Sequence, residues 1–534
     1  MIRALSLLLP ALLALAGCRR EETAAPAMTG ASPPLPFLGS PLRVTEHREG
    51  DDLASAGLGL EGLRAPPPAP ADPSRPSAAE LRRLAIHHNL RGIADLRPGQ
   101  YGEGYARLAR VPGREYRAFA RVPGARQPHR VMAQVPDGFD RARRCLVVAP
   151  VSGSRGIYGA QALAAIALAR GCAVATTDKG AGSDVFDLAA DEGAALDGTR
   201  ARRGEAPLAF EPPPGTGGEP LLALKHAHSG DHPEADWGRH ALQAAAFGLH
   251  ALALAFPELA PFTPENTRIL GLGISNGAAA LVHALEQDRE GIFDGAVLGA
   301  PNLAVPGRPA LYEYATLAAL LQPCLLADPA AAAAPFARGN PLLAAAAALR
   351  CAELQRRGLL PPGPPAAAAA AARAELLAAG FDEPSLRLAA MNVALDLWRT
   401  VAVSYASAYL RRGPAAMPCG YRIAVLAAPG LARPATPGER ALWWASANGL
   451  APSGEIGLLD ARAAPPDPFL PGLLCLRELA TGEGEEARAL REAVAATRVS
   501  GRLPPVPVIL IHGREDALIP AALSSRPYAE LARA

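Results

Sequence analysis

The chain has 534 residues, half of them hydrophobic, which is more than one minimal domain and enough to bury a large core. A formal net charge of +2 gives no pull toward nucleic acid or an anionic membrane surface, so neither is expected as an electrostatic partner. Basic character is almost all arginine, with lysine only at Lys179 and Lys225, and we read this as compositional bias rather than function.

In chain order, Arg3 leads an apolar run over residues 4–16 that closes as Leu15-Ala16-Gly17-Cys18 before the polar Arg19-Arg20-Glu21-Glu22. The run is too short to span a bilayer and reads as a signal peptide over 1–17 with a lipobox-like end. Cys18 is therefore expected to carry a lipid, the chain's one tie to a membrane; ordinary cleavage nearby is the alternative. Either way the protein is exported, to the bacterial envelope or beyond. Residues 18–40, rich in Ala, Pro, Ser and Thr, suit a flexible tether. Six further cysteines, Cys145, Cys172, Cys324, Cys351, Cys419 and Cys475, can form disulfides in an oxidising compartment, but sequence leaves their pairing open.

An N-terminal segment over 41–130 shows no chemistry, and His87 and His88 read as helix surface or packing residues. A first part of the core is expected over 131–302. Arg130-Val131-Met132-Ala133-Gln134-Val135 alternates as a half-buried strand does. Cys145-Leu146-Val147-Val148-Ala149-Pro150 reads as a buried parallel strand. The small-residue loop after it, from Ser152 and Gly153, can offer a backbone N–H to a reaction centre. A helix over 159–170 and a strand over 172–177 follow; strands alternating with helices imply a parallel α/β sheet. Residues 183–224 look like a glycine- and proline-rich surface excursion. His226, His228, His232 and Asp231 crowd into eight residues, yet no helical His-Glu pattern supports a metal, and a loop flanking the active site is expected. A long helix over 236–256 leads to the next strand.

That strand runs into Gly273-Ile274-Ser275-Asn276-Gly277 and on into a helix-forming segment. Gly-x-Ser-x-Gly is short enough to arise by chance, so the weight falls on its context of strand, sharp turn and helix. In such an elbow the serine sits at a strained backbone position, with glycines two residues to either side so that strand and helix can close on each other. Ser275 is the expected nucleophile, and the N–H of Asn276, with one from Ser152 or Gly153, the expected oxyanion hole. About two hundred residues, 303–502, then form a mainly helical insertion of the kind that makes a lid. The core resumes over 503–534 with an apolar strand ending in His512-Gly513-Arg514-Glu515-Asp516, where an α/β-hydrolase presents its acid, here Asp516. A histidine should follow. None does, so the expectation is a chain truncated at its C-terminus with the triad histidine beyond residue 534; an upstream base such as His226 or His228 would break the usual order. No metal and no organic cofactor is expected.

The blocks Ser152-Gly153-Ser154-Arg155-Gly156-Ile157-Tyr158-Gly159, Thr177-Asp178-Lys179-Gly180-Ala181-Gly182, Lys225-His226-Ala227-His228-Ser229, Gly273-Ile274-Ser275-Asn276-Gly277 and His512-Gly513-Arg514-Glu515-Asp516 resemble the D-(−)-3-hydroxybutyrate oligomer hydrolases. The resemblance runs from about residue 40 to the end. It implies hydrolysis of (R)-3-hydroxybutyrate dimers and short oligomers in polyhydroxybutyrate breakdown, with Ser275 at the family's nucleophile position and a small-molecule ester as the partner. Two alternatives stand beside it: an exported carboxylesterase of the tannase or feruloyl esterase kind, and a non-catalytic lipid-anchored binding protein on a degenerate hydrolase fold.

Overall fold

A computed structural model describes residues 35–96, 108–182, 184–213, 220–446 and 456–534; the signal and lipidation expectations at residues 1–18 lie outside these. Eight strands make the central sheet: β1 (Arg43–His47), β2 (Gly113–Ala120), β3 (His129–Pro136), β4 (Cys145–Val148), β5 (Ala173–Thr177), β6 (Arg268–Ile274), β7 (Gly295–Gly299) and β8 (Val508–Ile511). Their order is β1-β2-β3-β5-β4-β6-β7-β8. The first three join β5 as antiparallel neighbours, and β5 through β8 run parallel. This is the mostly parallel sheet of an α/β-hydrolase.

The sheet starts earlier in the chain than residue 131, because β1 and β2 come from the N-terminal segment. They also change how β3 is read. Its apolar and polar alternation suggests one wet face, yet all eight residues are buried. The polar ones are satisfied inside: the Arg130 guanidinium donates to Asp184 at 2.6 Å and the Gln134 amide to Glu115 at 2.9 Å. Glu115 also takes a 2.9 Å contact from Arg82 and a 2.7 Å hydrogen bond from the Tyr158 hydroxyl. Burial would push the Glu115 carboxyl up, but Arg82 and His47 hold it well below the usual carboxylate range. Breaking such a pair from one side costs about 3–5 kcal/mol, since the orphaned charge stays buried.

Helix α1 (Pro233–Ala255) packs across β3, β4 and β5, and against helix α2 (Asn276–Gln287). Close approach follows from small residues: Ala241, Ala244, Ala278, Ala279 and Ala280 are wholly buried. Residues 183–224 are more than a surface excursion. Val185–Asp187, Glu192–Ala194, Arg200–Arg202 and Leu222–Leu224 build a four-stranded antiparallel sheet over a cluster of Phe186, Leu208, Phe210 and Ala223. Three-residue strands are too short to display alternation, so only their Gly and Pro turns show in the sequence.

The insertion between β7 and β8 is mainly helical, including α3 (Leu311–Leu325) and α4 (Leu397–Tyr409). It also contains a three-stranded sheet of Tyr421–Ala428, Leu431–Arg433 and Ile456–Asp460, which the alanine-rich texture of the region does not announce. The six cysteines outside the N-terminus pair as Cys145–Cys172, Cys324–Cys351 and Cys419–Cys475. Three disulfides are the chemistry of an extracytoplasmic protein.

Candidate active site

Ser275 stands at the carboxyl end of β6 with φ 56° and ψ −125°, and α2 begins at the next residue. A non-glycine residue in this region is strained, and such strain clusters at functional positions. The flanking glycines are both required. A Cβ on Gly273 would lie 2.7 Å from the Ala278 nitrogen, and one on Gly277 would lie 2.3 Å from the Pro150 carbonyl oxygen. The Ser275 N–H donates to Gly299 O at 2.9 Å, which fixes the elbow against the end of β7. Its side chain is half-buried.

The contact of Gly277 with Pro150 brings the loop after β4 against the start of α2. Within that loop Ser152 and Gly153 are partly exposed, whereas Ser154 is fully buried. Two buried groups tie the loop down. The Lys179 ammonium donates to Val151 O at 2.8 Å and to Gly153 O at 2.9 Å. Ser154 Oγ lies 2.6 Å from His226 Nδ1, and His226 Nε2 makes a short hydrogen bond with Glu234. Burial would raise the Glu234 carboxyl, but His226 and His232 hold it far below its ordinary value. Burial pushes the Lys179 ammonium down to about 7, against the opposing pull of Asp178 and Glu234. The other lysine, Lys225, is equally buried and donates to Asp178 at 2.9 Å, bracing the residue beside Lys179.

Both ring nitrogens of His226 are thus committed away from Ser275, and His228 Nδ1 accepts from the Leu224 N–H at 2.9 Å. His226, His228 and Asp231 belong to a short helix, Lys225–His228, and the turn after it, beside the loop that follows β4. No group of three or more His, Cys, Asp or Glu side chains among the described residues is arranged to hold a metal.

Asp516 follows β8, two strands from β6, so it and Ser275 share the carboxyl edge of the sheet. Its Oδ1 accepts from the backbone of Leu518 at 3.0 Å and of Ile519 at 2.8 Å, and its Oδ2 is 3.5 Å from His512 Nε2. That nitrogen is also bound to Ile519 O at 2.7 Å. The insertion grips the loop after β8: Asn392 donates to Ala517 O at 2.8 Å and the Tyr314 hydroxyl to Leu518 O at 3.3 Å. It reaches the elbow too, through Tyr405 on α4, whose hydroxyl accepts from Asn276 Nδ2.

The structure brings Ser275, the loop at Ser152 and Gly153, and Asp516 to the carboxyl edge of one sheet; sequence reasoning did not single out Ser154, Lys179, Glu234 and Tyr405, which hold the elbow and that loop. One signal was available. In a chain that uses arginine almost everywhere, two surviving lysines mark places where a compact ammonium is needed.

A strained serine at the head of a helix, on the carboxyl edge of a mostly parallel sheet, defines an α/β-hydrolase of the esterase class. The family model for 3HB-oligomer hydrolases matches residues 15–534, and the chain belongs to that family. It is 36% identical to the D-(−)-3-hydroxybutyrate oligomer hydrolase of Paracidovorax citrulli over 549 residues, 91% of this chain and 77% of that one. With the Burkholderia ambifaria protein of the same name it shares 36% over 580 residues, 97% of this chain and 82% of that one. Among solved structures, feruloyl esterase B from Aspergillus oryzae aligns with TM-score 0.35 and 13% identity, over 80% of this chain and 70% of that one.

Proposed function

We propose that this protein hydrolyses the ester bonds of (R)-3-hydroxybutyrate dimers and short oligomers, with Ser275 as nucleophile and Asp516 as the acid of its triad. The observation that carries the reading is the strained Ser275 backbone at the start of α2, in a chain of the 3HB-oligomer hydrolase family. Ser275 Oγ attacks the ester carbonyl and passes its proton to a base; the hydroxyl of the next unit leaves with a proton, and water then frees the acyl group from Ser275. Among the described residues no hydrogen bond joins a histidine to Ser275. The N–H of Asn276 and one from Ser152 or Gly153 receive the developing oxyanion, each such donor contributing about 3 kcal/mol at the transition state. The helical insertion acts as a lid that keeps water from the reacting ester. A lipid on Cys18 would retain the enzyme in the envelope, and mass spectrometry of the mature N-terminus tests that.

The substrate is tested by following acid release from the dimer and trimer beside feruloyl and galloyl esters. The expected result is release from the hydroxybutyrate esters, abolished in Ser275→Ala. Release from the aromatic esters alone, or undiminished turnover in Ser275→Ala, overturns the reading.

A further inference from the structure

An oxyanion hole works only if its donors are already in place when charge develops, because reorganising them during reaction consumes the stabilisation they provide. A loop of small residues does not hold such a shape unaided. Here the segment from Val151 to Ser154 is built of small residues, and Gly153 sits at φ 55°. What fixes it comes from beneath. Lys179, with no exposed surface, bridges two carbonyls of the loop, Val151 O and Gly153 O. One residue further on, Ser154 is held by His226, and His226 by Glu234 from the first turn of α1. All three are buried. Above the loop, Gly277 abuts Pro150, so the segment is confined between the head of α2 and these side chains.

We infer that Lys179 and the Ser154–His226 pair are positioning residues for the oxyanion hole, holding the 151–154 loop in the shape that receives the tetrahedral intermediate. The inference rests on the reading of Ser275 as nucleophile. None of these side chains meets the substrate. Lys179 and His226 each hold the polypeptide by hydrogen bonds that fix a carbonyl or a hydroxyl, so that the N–H groups between those anchor points have one direction available. An arginine at 179 would not substitute, because a planar guanidinium cannot converge on two carbonyls in a space shaped for an ammonium.

The test compares two dimer analogues, one with a trifluoromethyl ketone and one with an ether in place of the ester. The ketone adds to the serine and leaves an oxyanion; the ether cannot. Binding of both is measured for the parent protein, Ser275→Ala, Lys179→Met and Ser154→Ala. In the parent the ketone should bind far more tightly than the ether, and Ser275→Ala should erase the difference. Lys179→Met should weaken the ketone about 100-fold, with kcat falling by the same factor, while ether affinity and KM stay within about twofold. Ser154→Ala removes one hydroxyl, is the variant that decides if Lys179→Met does not fold, and should show the same pattern at about tenfold. A folded variant of either kind that keeps parental ketone affinity, or loses ether and ketone affinity equally, overturns the positioning role. A parent that does not favour the ketone overturns the nucleophile assignment instead.

Discussion

Asn276, the first residue of α2, donates its side-chain amide to the Tyr405 hydroxyl on α4 at 3.2 Å. Asn276 is next to Ser275, and Tyr405 belongs to the insertion, so this hydrogen bond couples the lid to the elbow. The Tyr405 ring also packs edge-on to His226, centroids 4.9 Å apart, and Asn302 completes the set by donating to Asn276 Oδ1 at 3.0 Å. Tyr405→Phe keeps the ring and removes the acceptor. It should lower kcat about tenfold, equivalent to ~1.4 kcal/mol, and reduce stability by about 1–3 kcal/mol because a buried amide N–H is left unpaired. Steady-state kinetics on the dimer, with a urea melt alongside, measure both; unchanged kcat would show the lid and elbow to be independent.

Gly277→Ala places a methyl group 2.3 Å from the Pro150 carbonyl oxygen. Backbone must move on one side or the other, so a loss of about 1–3 kcal/mol is expected, together with most of the activity. Gly484→Ala is the control, since nothing lies within 4 Å of its Cβ position and its φ is −62°. Equal melting temperatures for the two variants would refute the crowding.

Burial, aided by Lys225, pushes His129 down to about 3, and burial with His226 beside it does the same to His228. Unfolded, both titrate near 6.5. Above pH 6.5 neither state binds the proton, so stability is unaffected. As pH falls from 6.5 toward 3 the unfolded chain takes up protons that the fold refuses, and stability drops by up to about 1.4 kcal/mol per pH unit for each histidine. Urea midpoints at pH 7.5, 6, 5 and 4 should trace that decline. His129→Phe, which keeps a ring against His240, should flatten it; an unaltered slope would mean His129 is protonated in the fold.

Two disulfides, Cys145–Cys172 and Cys324–Cys351, each close a 27-residue separation, for which the chain-entropy account gives about 3.5 kcal/mol. The second links α3 to the helix Pro341–Arg356 of the lid. Replacing both of its cysteines by serine should cost about 2–4 kcal/mol in denaturant while leaving the elbow intact. With Cys419–Cys475 as the third pair, maleimide labelling of the native parent should find none of the six cysteines free, and a reactive one would contradict the pairing.

The elbow was legible because its geometry constrains residue type: approaches of 2.7 and 2.3 Å admit nothing but glycine at 273 and 277, so the chain has to spell them out. The parallel strands β4 to β8 were legible as apolar runs, wholly buried in β4 and β5 and half-exposed in β8, where Ile509 and Ile511 face outward. What stayed hidden depends on partners far apart in sequence. Arg82 finds Glu115 and Asp51, Lys179 finds carbonyls 26 and 28 residues before it, and Asn276 meets Tyr405 across 129 residues. Each such residue looks like an ordinary polar position until the fold supplies its partner. The strand β3 shows the cost, since its polar residues mimic a wet face that the N-terminal segment covers.

The chain's two lysines, Lys179 and Lys225, are both at 0% exposure. Amine-directed chemistry therefore has no side-chain target on the native surface. Acylating reagents and amine crosslinkers can reach only a free α-amino group, and a lysine-specific protease has no accessible site until the molecule opens. Modification at either position then becomes a clock for unfolding around the loop at Ser152 and Gly153, because the two ammonium groups are released only when the buried network beneath it comes apart.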